Sequence, residues 1–155
     1  MNFYSKIAKS YNELHKEEQE QKLRIIKKHL KINKNTTLLD VGCGTGLSQK
    51  PFINKCKCLG IDPNKELLKL NPYPHLKAKA EKLPFKNKSF DIVISVTSLH
   101  HCNLKKAIKE IERVAKKQIT ISFLKKSKKL EQVKQLLKNY KQIEQEKDII
   151  FIKTI

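Results

Sequence analysis

The chain of 155 residues is long enough to bury one hydrophobic core and too short for a separate substrate domain, so we expect a single domain. It carries 34 Lys and Arg against 15 Asp and Glu, a formal net charge of +19 that would attract phosphate backbones or anionic membranes, although a solvated lysine surface gives the same count. No apolar run approaches the length of a membrane span and no secretory segment opens the chain, which predicts a soluble, cytoplasmic protein without a membrane partner.

The four cysteines, Cys43, Cys56, Cys58 and Cys102, form no C-x-x-C pattern. Cys56 and Cys58 are two positions apart beside a short apolar run, so both should point to one face of a strand. We interpret them as small buried side chains in a reducing compartment and predict no metal site.

The first half of the chain changes from helical to alternating periodicity. Leu23, Ile26 and Leu30 fall on one face of a helix, whereas TTLLDV is a short run typical of a strand buried on both sides of a parallel sheet. The predicted elements are helices over residues 3–15 and 17–30, a strand over 36–41, a short helix with Pro51 in its first turn, a strand over 57–62 and a helix over 65–70.

The second half continues the alternation of strands and helices. Asn103 should cap one helix and Ser127 the last one, whose apolar stripe ends at Tyr140. The predicted elements are strands over residues 75–80 and 90–96, a helix from Asn103 to about Lys117, a strand over 118–123, a helix over 127–140, and a hairpin of 142–146 and 149–155 that turns at Lys147 and Asp148.

This alternation predicts an α/β fold. Strands that are joined by helices form a parallel sheet with right-handed crossovers, which places helices on both faces. The closing hairpin adds an antiparallel carboxyl-terminal strand. We therefore expect a mostly parallel seven-stranded sheet.

A glycine-rich loop follows the first predicted strand. In the run from Asp40 to Gly46 (DVGCGTG), glycines let the backbone turn sharply and approach a ligand closely. Asp62 ends the second strand 20 residues after Gly42 and is placed to bind two ribose hydroxyls. The pair indicates a ligand that contains ribose. Leu47 stands where a dinucleotide-binding loop has its third glycine, so a nicotinamide or flavin cofactor is a weaker alternative, as is a turn without a ligand.

At these positions the chain resembles a known family. The segments LLDVGCGTG, GIDPN, AEKLPFKNKSFDIVIS and LHH match, in order and spacing, the motifs of class I S-adenosylmethionine-dependent methyltransferases of the type 11 group. The segment FYSKIAKSYNEL resembles the helix that often precedes the domain. The resemblance implies a Rossmann-like fold over residues 1–155, with residues 1–34 as a candidate lid and 35–155 as the core. It also implies S-adenosyl-L-methionine as the cofactor.

The resemblance assigns roles to individual residues. Asp62 would bind the ribose. Lys79 stands where the family commonly has an Asp, and a lysine cannot accept a hydrogen bond from the adenine amino group. Glu81 or a backbone carbonyl would accept that hydrogen bond instead. The remaining assignments are Asp40 and the backbone of Gly42, Cys43, Gly44 and Gly46 for the methionine end of the cofactor, Pro63, Ala80 and Glu81 beside the adenine, the backbone of Ser95 for the methionine amine, and Tyr11 as a lid residue.

The candidate catalytic residues are His100 and His101, which follow the fourth strand at the ligand-binding edge of the sheet. Histidine titrates near neutrality and could remove a proton from the methyl acceptor, although both side chains could instead shape the pocket. Cys102 could in principle attack a cytosine ring, but it lacks the Pro-Cys or Thr-Cys context of such enzymes. An Asn-Pro-Pro-aromatic motif for amine methylation is absent after this strand.

The sequence does not decide which class of molecule accepts the methyl group. The charge favours RNA or a translation-related substrate, because residues 105–129 hold ten Lys or Arg against two acids and could follow phosphates. A small-molecule acceptor and a protein acceptor are alternatives, and a noncatalytic cofactor-binding partner subunit is a further one. A chain of this size could also require an activator subunit.

Overall fold

The structure is a computed structural model that describes residues 17 and 19–155. Its sheet has seven strands in the order β3-β2-β1-β4-β5-β7-β6, which confirms the predicted fold class. The strands are β1 (Thr37–Val41), β2 (Lys57–Asp62), β3 (His75–Lys77), β4 (Phe90–Val96), β5 (Ala115–Leu124), β6 (Lys141–Glu144) and β7 (Asp148–Thr154).

Five strands, β1 to β5, pair in parallel, and β7 runs antiparallel to both β5 and β6. The strand order reverses between β1 and β4, whose connections leave the sheet in opposite directions. A crevice therefore opens at their carboxyl ends, where open α/β sheets bind ligands.

Helices cover both faces of the sheet because the strand side chains alternate between two apolar clusters. One face is covered by α3 and α4, and the other by α1 and a short 3-10 helix that begins with Pro51 in its first turn. The helices are α1 (residues 19–28), the 3-10 helix (Lys50–Phe52), α2 (Lys65–Leu68), α3 (Leu104–Val114) and α4 (Leu130–Leu136). As predicted, Leu23, Ile26 and Leu30 of the α1 region are buried.

Two predicted helix boundaries are wrong. Helix α3 ends at Val114 and not near Lys117, because Ala115 is buried and pairs with Phe90 as the first residue of β5. The last helix covers Leu130–Leu136 only, and Lys129 precedes it without a side-chain cap. The hydroxyl of Ser127 instead accepts a hydrogen bond from the Lys129 amide, so it closes the preceding turn.

The closing hairpin turns at residues 145–147, earlier than predicted. Asp148 pairs with Leu124 as the first residue of β7, and its carbonyl accepts a hydrogen bond from the Gln145 amide at 2.8 Å. The third strand is also shorter than predicted and ends at Lys77. Tyr11 and the predicted helix over residues 3–15 lie outside the described residues. None of the helices in the described part of the chain combines the length and the apolar composition that a membrane span requires.

Candidate cofactor site

A cavity of about 570 Å³ opens at the carboxyl edge of the sheet. The loops that follow β1, β2, β3 and β4 form most of its wall, together with Gln19 of α1. The lining residues are Gln19, Val41, Gly42, Cys43, Gly44, Thr45, Leu47, Ser48, Ile61, Asp62, Pro63, Asn64, Leu67, Lys79, Ala80, Glu81, Val96, Thr97, Ser98, Leu99, His101 and Cys102.

The glycine loop turns against the start of the segment that follows β4. Gly42 has a φ of +84°, and a Cβ there would collide with the side chain of Ser98. Gly46 has a φ of +95°, and a Cβ there would meet Asn71 Oδ1 at 2.7 Å. Both positions therefore require glycine, for backbone conformation and for space. Gly42 belongs to the cavity wall, whereas Gly46 lies outside the lining.

Asp62 is fixed at the end of β2 by two backbone hydrogen bonds. Its Oδ2 accepts from the Gly44 amide at 3.0 Å and its Oδ1 from the Asn64 amide at 2.8 Å. Burial nevertheless raises the pKa of this carboxyl above its usual range. The carboxylate joins the glycine loop to the second strand and lines the cavity, where a sugar hydroxyl could reach it.

Asp40 lies behind the glycine loop and not in the cavity wall. It is fully buried, and its Oδ2 accepts a hydrogen bond from the hydroxyl of Ser48. Its Oδ1 has no hydrogen-bond partner within residues 19–155. Burial raises the pKa of Asp40 to about 7. Because Ser48 itself lines the cavity, Asp40 contacts the site through this hydroxyl.

The segment after β3 forms the side of the cavity nearest β2. Lys79, Ala80 and Glu81 line it, together with Pro63 from the loop after β2. Glu81 Oε2 accepts a hydrogen bond from the Asn103 amide at 3.0 Å, which ties this segment to the start of α3. Glu81 is therefore held in the wall beside Lys79, where the resemblance expects an adenine-binding group.

The candidate catalytic histidines take different positions. His101 is exposed and lines the cavity, whereas His100 lies outside the lining with its ring 4.3 Å from that of Phe123. Burial lowers the pKa of His100, and none of the described residues forms a hydrogen bond with its Nε2. Cys102 also lines the cavity, but burial raises its pKa to about 11, so its thiol is protonated near neutrality and is a poor nucleophile.

Ser95 lies in β4 behind the wall, and its hydroxyl donates to the Val41 carbonyl at 2.9 Å. Ser98 donates to the same carbonyl at 2.9 Å and lines the cavity. These two hydroxyls hold the end of β1 against the segment that follows β4.

Sequence reasoning missed a buried ion pair beside the cavity. Lys22 Nζ lies 2.8 Å from Asp148 Oδ2 and donates to Thr97 Oγ1 at 2.6 Å, and Thr97 Oγ1 also donates to the Asp148 carboxylate at 2.7 Å. Thr97 lines the cavity with a φ of +53°. A signal was available in the sequence, since Gln19 and Lys22 fall on the same helical stripe as Leu23 and Ile26.

These residues fit an adenosine-containing cofactor. The loop requires glycine where a Cβ would clash, and a buried carboxylate lines the cavity at the end of β2. Gln19, also in the lining, has a buried oxygen without a partner among the described residues. In the part of the chain that is described, no three His, Cys, Asp or Glu side chains are grouped so that they could hold a metal ion.

Residues 39–123 match the family model described as a methyltransferase domain. Among curated proteins, the chain is 41% identical to the uncharacterized protein MJ1252 of Methanocaldococcus jannaschii over 74% of this chain and 46% of that protein. It is 28% identical to the uncharacterized methyltransferase YcgJ of Bacillus subtilis over 73% of this chain and 49% of that protein. The chain thus spans about half the length of these two relatives.

Solved structures show the same fold. The crystal structure of YcgJ aligns with a TM-score of 0.64 at 25% identity, over 68% of this chain and 51% of that one. The crystal structure of mmp1179 from Methanococcus maripaludis, described as an S-adenosyl-L-methionine-dependent methyltransferase, aligns with a TM-score of 0.80 at 14% identity over 98% of this chain and 94% of that one.

Proposed function

The chain belongs to the family of methyltransferase domains, and from this membership we propose that it transfers the methyl group of S-adenosyl-L-methionine to an acceptor at the edge of the cavity. The observation that carries the proposal is the hydrogen bond from the Gly44 amide to Asp62 Oδ2, because it holds a carboxylate and a tight backbone turn together on one cavity wall. The bound cofactor would supply an electrophilic methyl group on sulfur. The chain's own residues would bind and orient it.

Each portion of the cofactor binds to a different part of the cavity. Asp62 accepts hydrogen bonds from the ribose hydroxyls, and Pro63, Ala80 and Glu81 line the adenine side. The loop over residues 42–46 lies against the methionine portion, with Asp40 supporting it through Ser48. Holding both reactants in line supplies much of the rate of a displacement reaction, so few catalytic side chains are required.

His101 is the residue that we propose as the base for an acceptor that must lose a proton. It is the candidate histidine that lines the cavity, and its exposure lets it pass the proton to solvent. We propose a supporting role for His100, whose ring packs against Phe123.

RNA is the acceptor class that we propose. Exposed lysines stand where the chain leaves the carboxyl edge of the sheet, namely Lys126 and Lys128 after β5 and Lys105 and Lys106 at the start of α3. They belong to the same edge as the cavity loops, so their charges could hold phosphates while a base enters the site. Lys129 has a different task, since its Nζ donates to the carbonyl of Cys102 at 3.0 Å.

Methyl transfer is tested with cofactor that carries a radioactive methyl group. The purified chain is incubated with total cellular RNA and, separately, with a low-molecular-weight metabolite extract. We expect label in the RNA fraction that ribonuclease releases. Label in the metabolite fraction alone would replace RNA by a small-molecule acceptor, and label in neither fraction would favour the noncatalytic partner subunit.

The role of the lysines is tested by salt dependence. Replacing Lys105, Lys106, Lys126 and Lys128 by Gln should make the slope of log affinity against log salt shallower by about three for single-stranded RNA, if all four contact phosphates. The matched control replaces four exposed lysines at the opposite, amino edge of the sheet, Lys34, Lys55, Lys57 and Lys116. Equal slopes in the two variants would contradict a cavity-edge RNA surface.

An activator subunit, a cytoplasmic location and a lid formed by residues 1–34 stay predictions. Part of that segment, α1, packs against the sheet through Leu23 and Ile26. We propose that the residues that precede α1, with Tyr11, close over the methionine end of the cofactor.

A further inference from the structure

One side chain in the cavity wall has a polar atom without a hydrogen-bond partner in the described part of the chain. Among the described residues, four buried side-chain atoms have no hydrogen-bond partner, namely Gln19 Oε1, Asp40 Oδ1, His100 Nε2 and Thr120 Oγ1. Of these residues, Gln19 alone belongs to the cavity lining. It is 9% exposed, so solvent does not satisfy its oxygen. Such an atom is costly unless a ligand supplies the missing donor.

Helix α1, which contains Gln19, is held against the sheet by Lys22, one helical turn later. Lys22, three residues later, forms the buried contacts with Asp148 and Thr97. A buried ion pair contributes little net stability compared with an apolar replacement, but breaking it leaves an uncompensated buried charge. Here it joins α1 to β7 and to the end of β4, which sets the position of Gln19 in the cavity wall.

This attachment locates Gln19 along the cavity. Thr97 follows β4, the glycine loop follows β1, and Asp62 ends β2. The order of these strands is β2-β1-β4, so the end of β4 lies two strand spacings, about 10 Å, from the end of β2. With the ribose at Asp62, Gln19 stands at the opposite, methionine end of the cofactor.

The cavity wall offers that end no carboxylate from the described residues. The two acids in the lining are Asp62 and Glu81, and both belong to the β2 and β3 side. Among the described lining residues, the side-chain oxygen that a cationic group at the β4 end could take as an unpaired acceptor is that of Gln19. A hydrogen bond from a charged donor to this oxygen is stronger than one between neutral groups.

We propose that Gln19 binds the α-ammonium group of the methionine portion of S-adenosylmethionine, with its Oε1 as the acceptor. The proposal rests on the proposed function, since it takes this cofactor as given. The product S-adenosylhomocysteine keeps the same ammonium group, so it is a stable probe of the contact.

The test compares ligands with and without that group by titration calorimetry. The probes are S-adenosylhomocysteine, its decarboxylated analogue, which keeps the amine, and 5′-methylthioadenosine, which lacks the whole amino acid portion. Gln19→Leu should weaken the first two by about tenfold or more and leave the third unchanged. The matched control is Gln21→Leu on the exposed side of the same helix, which should change none of them.

A second readout separates ligand binding from a structural role. Because Gln19→Leu removes an unpaired buried oxygen, the ligand-free variant should melt at the wild-type temperature or above it. Gln19→Glu should keep more of the affinity for S-adenosylhomocysteine than Gln19→Leu does. If Gln19→Leu does not fold, Gln19→Met, which keeps the length of the side chain and removes the oxygen acceptor, is measured with the same three ligands.

Equal losses for S-adenosylhomocysteine and 5′-methylthioadenosine, or no loss for either, would overturn the assignment of Gln19 while the proposed cofactor stands. Failure of the wild-type protein to bind S-adenosylhomocysteine at all would overturn the proposed function as well. The two failures are therefore distinguishable.

Discussion

Removal of the Asp62 carboxylate should weaken cofactor binding through lost ribose hydrogen bonds. A carboxylate has about four lone-pair positions, of which the amides of Gly44 and Asn64 occupy two, so about two stay available for the ribose hydroxyls. Bonds to a charged group contribute more than neutral ones, and burial of this carboxylate offsets part of the gain. We expect Asp62→Ala to cost about 1 to 3 kcal/mol in binding, a rise in Kd of roughly 5- to 150-fold.

Calorimetry with S-adenosylhomocysteine measures this loss, and an analogue without ribose hydroxyls identifies its source. Wild-type protein should bind the analogue more weakly than the parent ligand, whereas Asp62→Ala should bind both alike. Asp91→Ala is the matched control, because Asp91 accepts the Thr37 amide at 3.0 Å at the opposite edge of the sheet. The control should lower stability without changing Kd. An unchanged Kd for folded Asp62→Ala would refute the reasoning.

Three further predictions test other parts of the site. His101→Asn should keep its affinity for S-adenosylhomocysteine while turnover falls by roughly 100-fold, with a smaller loss at high pH. His100→Asn should mainly shift the melting temperature. If His101→Asn loses ligand binding in parallel with turnover, His101 is not the base. Burial raises the pKa of Asp40 from 3.8 to about 7, so between these pH values the folded state holds a proton that the unfolded state releases. As the pH rises from about 4 to 7, the free energy of unfolding of the wild-type protein should therefore fall relative to that of Asp40→Asn, by up to about 4 kcal/mol. Urea unfolding across that range measures this difference, and a constant difference would contradict it. Lys79→Asp introduces the residue common in the family and should tighten S-adenosylhomocysteine binding about 3- to 10-fold, through a hydrogen bond from the adenine amino group. The control Lys77→Asp, on the neighbouring edge strand, should not change the affinity. Equal effects of the two substitutions would indicate a general effect of charge.

The parts of the fold that local sequence patterns determine were predicted well. β4 was predicted at its observed bounds because FDIVISV is a buried strand between polar segments, and Asp62 was placed at the end of β2 beside the glycine loop. In each case the signal lies within a few consecutive residues. The same holds for Asn103, whose side chain caps α3 as expected.

Features that depend on distant partners were not predictable in this way. The hairpin turn was misplaced because Asp148 pairs with Leu124 and is buried against Lys22, more than a hundred residues earlier in the chain. The end of α3 was misplaced because pairing of Ala115 with Phe90 outweighs the helical preference of an Ala-Lys-Lys segment. Gln19 and Lys22 are polar and belong to no local motif, although both fall on the buried stripe of α1.

Cofactor identity is tested most directly by thermal unfolding of the purified chain with S-adenosylhomocysteine or with NAD. A ligand that binds only the folded state raises the melting temperature in proportion to its concentration relative to Kd. We expect S-adenosylhomocysteine to raise it in a saturable manner and NAD to leave it unchanged. Stabilisation by NAD and not by S-adenosylhomocysteine would contradict the assignment of this cavity to S-adenosylmethionine.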